Sequence, residues 1–104
     1  MHTERIAIVG AGIGGLAAAI ELAARGLDVS VFERAATPGG KLRELPVGDT
    51  RLDAGPTVLT MRWVFDALFD AAGARLDDAL RLAPAERLAR HAWGPGERLD
   101  LHAD

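Results

Sequence analysis

Residues 6–16 read IAIVGAGIGGL and residues 29–34 read VSVFER, and the fold turns on what these two stretches do together. Ile6 to Val9 form an uninterrupted apolar run that stops at a glycine turn, the pattern of a short, fully buried strand over about Arg5 to Val9. Gly10-Ala11-Gly12-Ile13-Gly14-Gly15 follows at once and satisfies G-x-G-x-x-G, with Gly10, Gly12 and Gly15 in its three glycine positions. From about Ile13 to Arg25, Leu16, Ile20 and Ala23 or Ala24 recur at helical spacing, and Gly26 is placed to stop the helix. Leu27 to Phe32 is a second apolar strand. Strand, helix and strand in that order predict two parallel strands joined by a right-handed crossover.

Each glycine has a separate task in such a unit. Gly10 lets the chain turn sharply off the strand, Gly12 lets backbone approach a pyrophosphate, and Gly15 lets the helix pack closely on the strand. An anion then sits at the helix N-terminus, beside Ile13 and Gly14, where unpaired amides and the helix dipole favour negative charge. Glu33 ends the second strand at the spacing expected of a carboxylate that accepts hydrogen bonds from an adenosine ribose, with Arg34 next to it. Its charge disfavours a ribose 2′-phosphate. A glycine motif alone also fits a plain glycine-rich turn, but here the strand before it, the helix after it and the acid downstream are all present.

After Arg34 the pattern changes. A nicotinamide-binding half continues with a second crossover helix, whereas this chain offers Thr37-Pro38-Gly39-Gly40-Lys41, in which Pro38 lacks an amide donor and paired glycines form helix poorly. The amides of Gly39 and Gly40, with Lys41 or Arg43, make either a second anion cradle or a surface turn. Lys41 to Val47 and Thr50 to Asp53 are extended segments flanking a Gly48-Asp49 turn. Helical spacing returns from Arg62 to Ala72, with Val64, Phe65, Leu68, Phe69 and Ala72 on one face, Asp66 and Asp70 opposite, and Gly73 as the stop. Leu76 to Leu80 reads as a short helix, and Arg87 to Trp93 with Arg98 to Leu101 as a hairpin.

Composition narrows the classes. A chain of 104 residues, 49% hydrophobic, suffices for one small domain and not for a nucleotide domain plus a substrate domain. Twelve basic residues scattered among fifteen acidic ones, net charge -3, give no reason to expect nucleic acid. With no cysteine there is no disulfide or thiolate site. No apolar run reaches the roughly 18 residues of a membrane span, and the start lacks the pattern of a signal peptide, so a cytoplasmic location is the expectation.

Taken in order, Gly10, Gly12, Gly15, Glu33, Gly39, Gly40, Lys41, Asp53 and Gly55 resemble the FAD-dependent amine oxidase and carotenoid desaturase superfamily, whose members carry the dinucleotide fingerprint, a Glu, a Gly-Gly-Lys/Arg and an Asp-x-Gly. The stretches 39–73 and 88–104 are most similar to its phytoene-desaturase-related branch, in particular the 1-hydroxycarotenoid 3,4-desaturases, also called methoxyneurosporene dehydrogenases. The resemblance implies an α/β architecture: a partial Rossmann-like FAD-binding domain over 1–73, then the start of a β-rich substrate domain over 74–104. It also implies roles: Glu33 on the ribose, Gly39 to Lys41 along the pyrophosphate and ribityl chain, and Asp53, Gly55, Pro56 and Thr57 near the flavin ring. The implied reaction is flavin-mediated desaturation of a carotenoid, an apolar substrate drawn from membrane, which brings peripheral membrane association with it. Since members of the family are several times longer, these residues are expected to be an N-terminal fragment without activity of its own.

Other residues invite simpler readings. His91 lacks a partner at metal-ligand spacing and reads as a surface or hairpin residue, while His2 and His102 lie near the termini. Trp63, Phe65 and Phe69 read as core rather than as a channel. Met61 and Arg62 are candidates for cofactor or substrate contact, and Asp53 reads as a turn former before a catalytic carboxylate. An amine oxidase, a phytoene desaturase and a non-catalytic dinucleotide-binding module stay open as alternatives.

Overall fold

In the computed structural model, which describes residues 4–103, β1 (Arg5–Val9) and β2 (Asp28–Phe32) lie parallel, with Arg5 opposite Asp28 and Val9 opposite Phe32. Helix α1 (Ile13–Ala24) crosses between them and packs on both strands. It closes as expected at Gly26: the Gly26 amide donates to the Ala23 carbonyl at 2.9 Å and the Leu27 amide to the Leu22 carbonyl at 3.2 Å, the paired bonds of a Schellman cap. Arg25 is thereby the cap rather than the last helical residue. His2 lies outside the described residues.

The fully buried first strand is corrected. Along β1, Ile6 and Ile8 are half-buried and Arg5, Ala7 and Val9 exposed, Val9 at 89%. The reason is layering: among the described elements α1 alone covers the β1–β2 pair, so one face of each strand stays open. Among the described residues, only Ala11 and Leu76 are buried apolar ones. The Cα radius of gyration, 18.6 Å, exceeds the roughly 13 Å of a compact domain of about 100 residues.

Residues 34–42 run through bends and a turn without a helix, as Pro38 and the glycine pair require. They lead into a hairpin of β3 (Glu44–Val47) and β4 (Thr50–Asp53), joined by Gly48-Asp49. Helix α2 (Arg62–Ala71) lies on α1 and on the single turn α3 (Leu76–Ala79), and ends in a second Schellman cap at Gly73. Phe65, Leu68 and Phe69 are half-buried as the spacing predicts, whereas Trp63 is 67% exposed and Val64 and Ala72 are also exposed. The core reading of Trp63 is therefore corrected; it lies outside the half-buried stripe of Phe65, Leu68 and Phe69. Asp66, expected to face solvent, is intermediate in exposure and paired with the Arg62 guanidinium at 3.2 Å. A second antiparallel hairpin, β5 (Arg87–Gly94) and β6 (Glu97–His102), completes the described chain, with Arg90 bonded to both oxygens of Asp100 at 2.6 and 2.7 Å.

Candidate dinucleotide-binding site

The glycine loop is fastened from two directions. The Gly10 amide donates to the Phe32 carbonyl at 2.7 Å, extending the β1–β2 ladder by one residue. Ala11, 4% exposed, gives its amide to Glu33 Oε2 at 2.7 Å and receives the Gly39 amide on its carbonyl at 2.8 Å. Gly12 and Gly39 form an isolated parallel bridge. Gly12 then caps α1 with extended backbone, its carbonyl accepting the Leu16 amide at 2.9 Å. No side chain caps this end and no acid stands in its first turn, so the positive end of the helix is left for an external anion.

Space around the loop divides the glycines. A Cβ added at Gly15 would lie 1.9 Å from the Gly10 carbonyl oxygen, so the chain itself demands glycine there. At Gly10, Gly12 and Gly14 an added Cβ meets nothing within 4 Å. Gly10 is explained by its φ of 102°, but Gly12 and Gly14 are explained by nothing inside the chain. Open space over a helix N-terminus with bare backbone fits a pyrophosphate, whose oxygens need close approach to amides.

Glu33 does more than wait for a ribose. Its Oε1 accepts the Ala35 amide at 2.8 Å while Oε2 accepts the Ala11 amide. First the Ala35 amide and then the Ala11 amide hold its carboxyl below the ordinary carboxylate range; burial opposes them slightly, and Arg34 adds a smaller push downward. A depressed folded-state pKa contributes stability above the unfolded value, and that contribution is lost as pH falls through the folded value. Acidification below about pH 4, the ordinary range for glutamate, is therefore expected to loosen the glycine loop and release bound dinucleotide. Release of the bound dinucleotide, followed by its absorbance against pH, checks this, and Glu33→Gln is expected to remove that step of the profile.

The second glycine pair joins the first loop instead of standing apart from it. Besides the Gly39–Ala11 bond, a Cβ on Gly40 would come within 3.2 Å of the Gly12 Cα. The Gly39 amide is thus spent internally, leaving Gly40, Lys41 and Arg43 as the donors that a second cradle has. Gly40, Arg43, Asp53 and Pro56 line one open cleft of about 680 Å³ with Thr37, Glu44 and Arg51, the last two ion-paired at 3.2 Å. Gly55 crosses directly over the turn, where a Cβ would fall 1.8 Å from the Lys41 carbonyl oxygen. Arg34 and Lys41 are exposed beside these loops.

A profile of the NAD(P)-binding Rossmann-like domain matches residues 8–72. The chain belongs to that family. This Rossmann-like chain is 58% identical to hydroxyneurosporene desaturase of Rubrivivax gelatinosus over 105 residues, covering 100% of this chain and 20% of that protein. The hydroxyneurosporene desaturase of Rhodobacter capsulatus is 54% identical over 95% of the chain and 20% of its own length. Phytoene dehydrogenase of Streptomyces griseus is 47% identical over 97% of the chain and 20% of its length. The chain therefore spans about one-fifth of the curated relatives it matches, and its resemblance to the carotenoid desaturase superfamily is borne out.

Other candidates of the Rossmann-like chain fall elsewhere. Thr57 lines a second, largely apolar cleft of about 680 Å³ with Met61, Arg62, Leu82 and Leu88. Arg62 is bonded to Asp66 and, at 2.6 Å, to Asp77, tying α2 to α3; its guanidinium is already engaged within the chain. Met61 adopts the left-handed conformation, φ 53° and ψ 50°, an arrangement that costs an L-residue roughly 1–2 kcal/mol. Met61→Gly is expected to raise stability by a net ~0.5 kcal/mol, after glycine's own entropic cost, as a small rise in thermal midpoint. His91 stacks on Trp93 at 5.9 Å on the second hairpin, and no cluster among the described residues suits a metal. Sequence reasoning passes over Ala11, Thr37 and Arg51; Ala11 alone carried a signal, as the residue enclosed by Gly10 and Gly12.

Proposed function

We propose that the dinucleotide is FAD and that the complete protein is a flavin-dependent carotenoid desaturase. One observation carries the choice of cofactor: where a nicotinamide-binding half has a crossover helix, the Gly39-Gly40 turn is docked on the first glycine loop through Ala11 and Gly12. The relatives support the reaction class, being named as desaturases and dehydrogenases of carotenoids.

Gly10, Gly12, Ile13, Gly14 and Gly15 hold the pyrophosphate at the start of α1, and Glu33, with Arg34 alongside, takes the ribose through lone pairs left over from its two amide bonds. Gly39, Gly40 and Lys41 follow the pyrophosphate and ribityl chain, while Asp53, Gly55, Pro56 and Thr57 bring backbone to the flavin ring. Residues 1–73 then form part of the FAD domain and 74–104 open a substrate domain, a division that suits the open faces of β1 and β2. When bound, the flavin supplies the acceptor for two hydrogens removed across a carbon–carbon single bond, which extends the polyene. The chain's contribution is position: it fixes the dinucleotide by backbone and leaves apolar surface for a carotenoid of the 1-hydroxy class. No described helix is long and apolar enough to cross a membrane; we place the complete protein at the membrane surface because an apolar carotenoid resides there.

The test is the visible spectrum of the purified complete protein and the identity of the cofactor that denaturation releases. FAD released in near-stoichiometric amount supports the reading; a nicotinamide dinucleotide in its place, or no binding on adding FAD, defeats it. Phytoene is the substrate to set against a 1-hydroxycarotenoid, since phytoene desaturases are also among the relatives.

A further inference from the structure

We infer that Glu33 is a positioning residue for the glycine loop, acting through the Ala11 amide independently of any bond to ribose. The inference rests on the FAD reading for its ligand and on the chain alone for its geometry. Ala11 is the most enclosed residue of the loop, and both its polar backbone groups are committed: the amide to Glu33 at 2.7 Å, the carbonyl to Gly39 at 2.8 Å. Among the described residues no other group gives the Ala11 amide an acceptor. An enclosed amide without one is unfavourable, and an ionised acceptor is roughly twice as strong as a neutral one.

The carboxylate also spans two loops. Oε2 reaches back to residue 11 and Oε1 forward to Ala35 at 2.8 Å, so a single side chain sets the glycine turn against the bend that leads toward Gly39. Aspartate keeps the charge but is one carbon shorter. Glutamine keeps the length but has a single oxygen, and its NH₂ group would confront an amide donor. Neither holds both amides. The Ala11 peptide sets the direction in which Gly12 and the first turn of α1 present their amides, so dislodging it misaims the donors meant for the pyrophosphate.

The experiment has a ligand-free arm and a ligand arm, both on the complete protein. In the cofactor-free state, amide hydrogen exchange over residues 8–16 is compared for wild type, Glu33→Gln and Glu33→Asp. Both variants are expected to speed exchange at Ala11 by about tenfold or more, the loss of one charge-assisted bond; unchanged exchange overturns the proposal. In the second arm, FAD and an FAD analogue lacking the 2′-hydroxyl of the adenosine ribose are titrated into wild type and Glu33→Gln. A positioning role weakens both ligands, and the ribose bond of the proposed function adds a further loss to FAD alone. A variant that weakens FAD but leaves the deoxy analogue untouched places the whole effect on the hydroxyl and overturns the proposal. Wild-type protein that binds neither ligand defeats the FAD reading, while the exchange arm still decides the role of Glu33.

Discussion

Replacing Gly15 with alanine is expected to cost the complete protein ~1–3 kcal/mol of stability and most of its bound dinucleotide, the range for forcing an extra carbon into a filled site. The alanine Cβ would stand 1.9 Å from the Gly10 carbonyl oxygen, 3.1 Å from its carbon and 3.4 Å from Ile8 Cγ2. The first two neighbours are backbone and have no rotamer to escape into. Relief requires α1 to lift from β1, which moves the helix N-terminus away from the Gly10–Gly12 turn. Gly14→Ala is the internal control, because a Cβ there meets nothing within 4 Å and helix propensity favours alanine by about 1 kcal/mol. Thermal midpoint and flavin content of the two variants check the contrast: Gly15→Ala lowers both, and Gly14→Ala keeps or raises the midpoint. If Gly14→Ala loses flavin while gaining stability, Gly14 belongs to the ligand's cradle and not to the fold.

Where the information was local, the sequence was readable. Gly26 and Gly73 announce their helix ends because a Schellman cap needs a residue that tolerates the left-handed region just past the last turn. The β1–loop–α1–β2 order follows from apolar runs broken by glycine, and Pro38 with two glycines rules out a crossover helix without reference to anything distant. What the residues could not reveal depends on partners far along the chain. Nothing in Ala11 indicates that it bonds both Glu33 and Gly39, and nothing in Arg62 distinguishes a cofactor contact from a clasp on Asp77. The burial of β1 was misread for a related reason: an apolar run records which residues tolerate cover, while the cover itself comes from other elements. The left-handed Met61 follows no local rule, since methionine, unlike glycine, asparagine or aspartate, has no local means of favouring that region.

Gly55→Ala tests whether the two glycine turns and the segment after β4 form one rigid seat. Its backbone is not in the left-handed region, so alanine brings no conformational strain of its own and the effect is purely steric. The added carbon would fall 1.8 Å from the Lys41 carbonyl oxygen and 3.0 Å from its carbon. Retreat is blocked next door, because the Ala54 amide is bonded to the Arg43 carbonyl at 2.8 Å. The turn at 39–42 must therefore yield, and through Gly39 it pulls on Ala11 and Gly12. A loss of ~1–3 kcal/mol is expected in the cofactor-free protein, and flavin content is expected to fall with it, each 1.4 kcal/mol that reaches the site weakening retention about tenfold. Gly12→Ala separates the alternatives, because a Cβ there meets nothing of the chain within 4 Å, and a residue that serves only the ligand lowers flavin content and leaves the cofactor-free melting midpoint where it was. Should Gly55→Ala behave in that same way, Gly55 serves the cofactor alone; a drop in the cofactor-free midpoint makes it structural first, with the flavin held by the seat it keeps closed.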